Sequence, residues 1–240
     1  RSALGATSIV YALLLDTEQN VRDRQVNLLN ERLRPGELKE LSRVVEQLSA
    51  LAPHQAFPLL ELAAGGLAGL SANQLAHAID TVEYLIDADD RLTLYEFSVR
   101  AVIQAKLSGR VSPTRGNGKL LTSGRQIATA CEAVLSACAH AGHDSTSEAN
   151  SAFQAARNFL PKGAREIAAL EPEDDHRYER LDEALTRIRQ AKPKLKHSVL
   201  KACEACIVYD GEVRLAEANL LRAVALAIGV PVPPIAQANT

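Results

Sequence analysis

"IVYDGEVRLAE", residues 207–217, sets three acids (Asp210, Glu212 and Glu217) around Gly211, between two helix-like stretches. Read as a metal loop, it makes the chain a cation-binding protein. Read as a turn, it makes the chain a stack of helical hairpins. An internal copy favours the turn. "VEYLIDADDRLTLYEF" (82–97) aligns without a gap beneath "CEACIVYDGEVRLAEA" (203–218). Glu83 then meets Glu204, Ile86 meets Ile207, Asp89 meets Asp210, Leu92 meets Val213, Leu94 meets Leu215 and Glu96 meets Glu217. Each copy reads helix, acidic turn, one apolar residue, new helix, which points to a duplicated helical-hairpin unit.

The physics of the unit is local. A helix ends, and a residue at positive φ reverses the chain. Gly211 suits that position, and Asp90, its counterpart in the first copy, is among the few tolerated substitutes. The apolar residue that follows, Leu92 or Val213, is expected to drop into the core. The next helix then opens with Glu96 or Glu217 near its positive end. The copies differ at two places: Thr93 is a cap residue where the second copy has Arg214, and only the second copy has the glycine.

Outward from this unit, helical periodicity recurs along the chain and strand alternation does not. Hydrophobic residues make up 47% of the 240, aromatics only 4%, and Trp and Met are absent. An Ala- and Leu-rich chain of this kind favours helix. The spacing predicts capping boxes at Ser71 with Gln74, Thr93 with Glu96, and Ser145 with Glu148. Asp16 or Thr17 is expected to cap the second helix, Pro35 to open the third, and Pro53 and Pro58 to bracket the start of the fourth. The Pro-rich tail "VPVPPIAQANT" reads as extended. The expected fold is an all-α, multi-helix array of about eleven helices. A Gly-, Ser- and Pro-rich loop over 108–124 divides it into halves at 1–107 and 125–240, expected to form one compact body.

Bulk properties narrow the function. A net charge of −2 gives no reason to expect nucleic acid as a partner. The four cysteines (Cys131, Cys138, Cys203 and Cys206) lie in apolar stretches of a large chain, which suits a reducing compartment better than a disulfide framework. The most apolar window, 56–72, contains Glu61 and three glycines and is too short to span a bilayer. The chain begins at Arg1 inside an apolar stretch, as a segment of something longer would.

The familiar chemical patterns fail one by one. A calcium loop started at Asp87 puts Arg91 at its fifth position and Ser98 at its twelfth; one started at Asp210 puts Leu215 at its sixth. A looser cation site on Asp89, Asp90 and Glu96, or on Asp210, Glu212 and Glu217, stays open. Cys203-x2-Cys206, with Cys138, His140 and His143 elsewhere, has zinc-like spacing. The internal copy puts Val82 and Leu85 at the positions of Cys203 and Cys206, so small buried thiols are the simpler reading. None of the six histidines is followed by Glu, so no His-Glu-x-x-His is present, and there is no Gly-x-Ser-x-Gly. "RGNGKLL" lacks the upstream glycine and the Ser or Thr of a phosphate loop. No catalytic residue is expected in this chain. An alanine-faced helical array does offer grooves for peptides or helices.

Two stretches carry a resemblance. "LKACEACIVYDGEVRLAEANLLRAVALAIGVPVPP" resembles the helix–turn–helix unit of TerB-like (tellurite-resistance-type) domains. Its Pro-rich ending resembles the carboxy-terminal region of long bacterial membrane-bound M48 (Ste24p/HtpX-like) metallopeptidases. "YALLLDTEQNVRDRQVNLL", "LIDADDRLTLYEF" and "HAGHD" are similar to the same region, so the resemblance spans about residues 8–234. It implies a soluble accessory, regulatory or partner-binding domain without catalytic residues or cofactor, on the cytoplasmic face of the bacterial inner membrane. Zinc and the peptidase machinery would lie in an upstream membrane-embedded domain, which would be one partner; a protein partner or substrate would be another. The TerB-like resemblance alone implies an alternative, a stand-alone acidic module binding divalent cations. It maps an acidic surface onto Asp89, Asp90, Asp210, Glu212 and Glu217.

Overall fold

The computed structural model describes residues 3–89, 91–111 and 120–232. Asp90, the middle of the expected 108–124 loop and the end of the Pro-rich tail lie outside the described residues. The chain is all-α, with eleven α-helices and no strand among the described residues. It divides into two compact units, Arg1–Pro113 and Thr114–Thr240.

The first unit contains α1 (Ala3–Leu14), α2 (Gln19–Arg32), α3 (Pro35–Leu48), α4 (Pro53–Gly66), α5 (Ala72–Ile86) and α6 (Leu94–Val111). Helix α1 is its centre and packs on α3, α4 and α5, with Val10, Tyr11 and Leu14 buried. Burial also pushes the Tyr11 phenol up to about 12. Small residues let α1 and α4 close in: a Cβ on Gly66 would stand 2.8 Å from that of Ala6. Pro35 and Pro53 occupy first helical turns, where their missing N–H groups have no intrahelical acceptor anyway. Pro58 departs from expectation, since it lies inside α4. Proline has no N–H to donate to the His54 carbonyl, so the helix forgoes that bond, while Phe57 and Leu60 on the same helix are fully buried. Burial of that face outweighs the local penalty.

Two further expectations change. Neither Asp16 nor Thr17 caps α2. Its N-cap is Glu18, and the Asp16 carboxylate instead accepts the Glu18 N–H at 2.7 Å. The end of α1 is held by Gln25, fully buried on α2. Its amide accepts from Asp16 N at 2.8 Å and donates to the carbonyls of Leu14 and Leu85, each at 3.0 Å. The expected loop at 108–124 also begins late, because α6 runs on to Val111.

The second unit contains a 3-10 turn (Gly124–Ile127), α7 (Ala128–Gly142), α8 (Thr146–Arg157), α9 (Arg177–Arg189), α10 (Pro193–Ile207) and α11 (Leu215–Ile228). Helix α7 is the centre here and packs on α8, α9, α10 and α11. The segment between α8 and α9 is not helical but is tied down. Glu171 donates its N–H to Ser136 at 2.9 Å and accepts at its carbonyl from His140 Nε2 at 2.8 Å. Its carboxylate pairs with Arg180 at 2.8 Å.

The same plan recurs inside each unit. The first helix of the hairpin packs on the first two helices (α5 on α1 and α2; α10 on α7 and α8). The helix before the hairpin packs on the first helix and on the second hairpin helix (α4 on α1 and α6; α9 on α7 and α11). Only α3 has no helical counterpart.

Candidate functional site

The two hairpins keep the register read from the sequence. Helix α5 ends at Ile86 and α10 at Ile207; α6 starts at Leu94 and α11 at Leu215. In the first hairpin, Asp89 accepts the Arg91 N–H at 3.2 Å. Thr93 and Glu96 form a complete capping box: Glu96 N donates to the Thr93 hydroxyl at 3.2 Å, and Thr93 N donates to Glu96 Oε2 at 2.9 Å. Thr93 Oγ1 also donates to Glu96 Oε2, at 2.7 Å. Glu96 is buried, and burial holds its carboxyl above the ordinary carboxylate range; the Thr93 hydrogen bonds oppose this, and Asp89 and Asp16 reinforce it.

In the second hairpin, Gly211 has φ +84° and donates to Val208 O at 3.2 Å, so the glycine reverses the chain as expected. Asp210 accepts the Glu212 N–H at 3.0 Å. Arg214 N donates to Glu217 Oε2 at 2.8 Å, giving half of a capping box without a capping hydroxyl. The Arg214 guanidinium reaches Asp144, after α7, at 3.2 Å. Glu217 is only 2% exposed, and burial raises its carboxyl above the ordinary range. The Arg214 backbone hydrogen bond opposes this shift, and Asp210 adds to it. Its Oε1 lies where Gly142 ends α7: a Cβ on that glycine would be 1.9 Å away.

The hairpin acids therefore serve mostly as turn and cap groups. Asp89 and Asp210 bond the backbone two residues on, Glu96 and Glu217 close helix starts, and Glu212 stands exposed. Among the described residues, no group of three or more His, Cys, Asp or Glu side chains could hold a metal ion. The cysteine–histidine zinc set is not assembled either, because His140 Nε2 is committed to Glu171 O and all four cysteines are fully buried on α7 and α10. Leu92 and Val213 are half-buried rather than core, since each sits in the turn and not on a helix face.

Sequence reading gave Asp16 a cap it does not make, placed His143 only in the zinc-like set, and missed the roles of Asp144 and Gln25. Asp16 and Asp144 had a signal: "LLLDT" and "AGHDS" each place an Asp, then Thr or Ser, after an apolar helix. His143 Nδ1 donates to Ala139 O at 2.9 Å, while its Nε2 is buried without a partner. Gln25 follows no local rule, because it acts on backbone groups that only the fold brings near, whereas His143 bonds a carbonyl four residues back at the end of α7.

The first unit also has a groove of about 600 Å³ between α1, α3 and α4, lined by Ala6, Ile9, Val44, Leu48 and Leu62. Leu62 is 65% exposed. Glu40 and Arg43 on its rim pair with each other at 2.6 Å.

Compared with family models, curated proteins and solved structures, the chain matches none of them. No helix among the described residues is long and apolar enough to cross a membrane.

Proposed function

We propose that this chain is a non-catalytic, partner-binding accessory domain of a membrane-anchored zinc peptidase of the M48 type. It stands on the cytoplasmic face and receives an apolar helix in the groove of its first unit. One observation carries the binding part of this reading. The groove between α1, α3 and α4 presents Leu62 to solvent beside the half-buried Ile9 and Leu48, and Glu40 and Arg43 beside it are already paired. Such a surface suits the apolar face of an amphipathic helix. The peptidase part rests on the sequence resemblance, with zinc supplied by the upstream domain. Two results test the parts separately. The gene upstream of Arg1 is expected to encode membrane segments and a His-Glu-x-x-His helix; without them the peptidase assignment fails. A photo-reactive residue at position 62 of the full-length protein is expected to cross-link a partner, and Leu62→Asp to abolish a contact mapped at Leu48. A contact at Leu48 that persists in Leu62→Asp rejects the groove.

A second reading, a module binding divalent cations, has its own observation. Asp16 and Asp89 act electrostatically on Glu96, and Asp210 acts on Glu217, so each hairpin concentrates carboxylates. Calorimetry with calcium, magnesium, manganese and zinc tests it, and no heat at millimolar metal removes it.

A further inference from the structure

Helix α1 carries only three polar side chains, the hydroxyls of Thr7, Ser8 and Tyr11. All three line one cavity of about 150 Å³ in the first unit, walled also by the start of α3 and the start of α5. Ser8 and Tyr11 are buried on this central helix. Apolar side chains would suit such a place better, because a buried hydroxyl costs free energy unless something hydrogen-bonds it. The cavity is distinct from the groove described above, which Ala6 and Ile9 of the same helix line instead.

Helix caps fix the other polar groups of the wall. Glu37 and Gln74 each stand at the third position of a helix, and both line the cavity. Glu37 Oε2 accepts the Arg34 N–H at 2.8 Å, and Gln74 Oε1 accepts the Ser71 N–H at 3.0 Å. One polar atom of each side chain is thus held by the backbone, while Glu37 Oε1 and Gln74 Nε2 take no part in these bonds. Glu37 is the only carboxylate on the wall, His77 is its only base, and among the described residues the wall has no lysine or arginine. Arg32 acts electrostatically on the Tyr11 phenol, as Glu37 does, but is committed elsewhere. It pairs with Asp80, donates to Thr81 Oγ1 at 3.2 Å and lies 4.2 Å over the Tyr84 ring.

We propose that this cavity binds a small organic monocation, an ammonium group on a short alkyl chain. Glu37 receives the ammonium, the α1 hydroxyls accept its remaining N–H groups, and Leu33, Leu70 and Ala78 cover the alkyl part. Volume limits the ligand to about six non-hydrogen atoms, the size of the benzene that an apolar cavity of similar volume takes up. Charge sets its sign, because an anion would meet the Glu37 carboxylate with no lysine or arginine on the wall to offset it.

The test is an NMR titration of the full chain at about pH 8, where an ordinary imidazole is uncharged. Amide shifts are read at Ser8, Leu70 and Ala78. Butylammonium, 1-butanol and butyrate are compared, since they are alike in size and differ in charge. Butylammonium should give saturable shifts at these amides, half complete at about 1–10 mM. The alcohol and the carboxylate should bind about tenfold more weakly or not at all. Glu37→Gln keeps an acceptor for the Arg34 N–H and removes the charge, so it should weaken butylammonium about tenfold and leave 1-butanol unchanged. Ser8→Leu should abolish the shifts by filling the cavity. Equal binding of the three probes overturns the proposal, as does undiminished butylammonium binding in Glu37→Gln. So does the absence of saturable shifts at these amides well above that range, the result for a cavity that holds only water. Glu37→Gln is conservative, so the comparison stands even if Ser8→Leu folds poorly.

Discussion

Glu217 is the residue where turn, helix start and core meet. Its carboxylate caps α11 from a site that is only 2% exposed, and burial holds the proton to higher pH than in the unfolded chain. Between the ordinary carboxylate value and the raised native one, the folded state binds more protons than the unfolded state. Stability is therefore fully present at acid pH and falls as pH rises through that window. Glu96 works in the same direction. Glu217→Gln keeps an acceptor for Arg214 N and carries no charge. It is expected to flatten this part of the stability–pH curve and to be no less stable than the parent above the window. Urea midpoints across a pH series check it, and an unchanged slope contradicts it. Gly142 makes the complementary case. A methyl group there meets Glu217 Oε1 at 1.9 Å, and that side chain is packed and cannot swing into water. Gly142→Ala should cost about 1–3 kcal/mol, as overpacking does. Most of that cost should vanish in a Glu217→Ala background, because the clashing atoms are gone; additive losses would contradict the contact. The sequence showed Glu217 at a helix start, since a glutamate two positions inside a helix follows a local rule. It did not show the contact with Gly142, which depends on α7 arriving from 75 residues away.

The hairpins show which parts of an element a sequence states openly. Ser71 with Gln74 and Thr93 with Glu96 were legible because the donor, the acceptor and the three-residue spacing all lie within one turn. Asp16 was misassigned because its neighbour Gln25, buried by a different helix, satisfies the end of α1 and leaves the Asp16 carboxylate to the turn. The two hairpins also contain a natural experiment in capping. Thr93 supplies a hydroxyl to α6, while Arg214 at the same place in α11 has an extended backbone (φ −74°, ψ 152°) suited to a cap but no side-chain cap bond. Thr93→Ala should destabilise the first unit by about 1 kcal/mol. Arg214→Thr should stabilise the second by about 0.5–1 kcal/mol, because the lost ion pair with Asp144 is exposed and contributes little. Denaturant titration of both variants decides. A loss of stability in Arg214→Thr would show that the pair with Asp144 matters more than its exposure suggests.

On the scale of the whole chain, the likeness in packing between the two units goes further than the aligned stretches. Only the turn constrains residue identity, through positive φ at Gly211 and caps at helix starts. The packing faces of α1, α4, α7 and α9 accept apolar residues of suitable volume, so the likeness shows in what packs on what and not in sequence. The all-α class was legible throughout, because helical periodicity is a property of every segment. The groove was not, because its wall and floor come from three helices whose relation only the fold sets. Each unit has its own central helix, α1 or α7, buried by partners from the same unit. Each also has a length at which single domains fold alone. Residues 1–113 and 114–240 produced separately are therefore each expected to be helical and to unfold in one cooperative step. Their urea dependences should sum to that of the full chain, since the slope follows the surface exposed on unfolding. Circular dichroism during urea titration reads both. A first-unit fragment without a cooperative transition would mean that its core is completed by residues beyond Pro113, and the chain would then count as one folding unit rather than two.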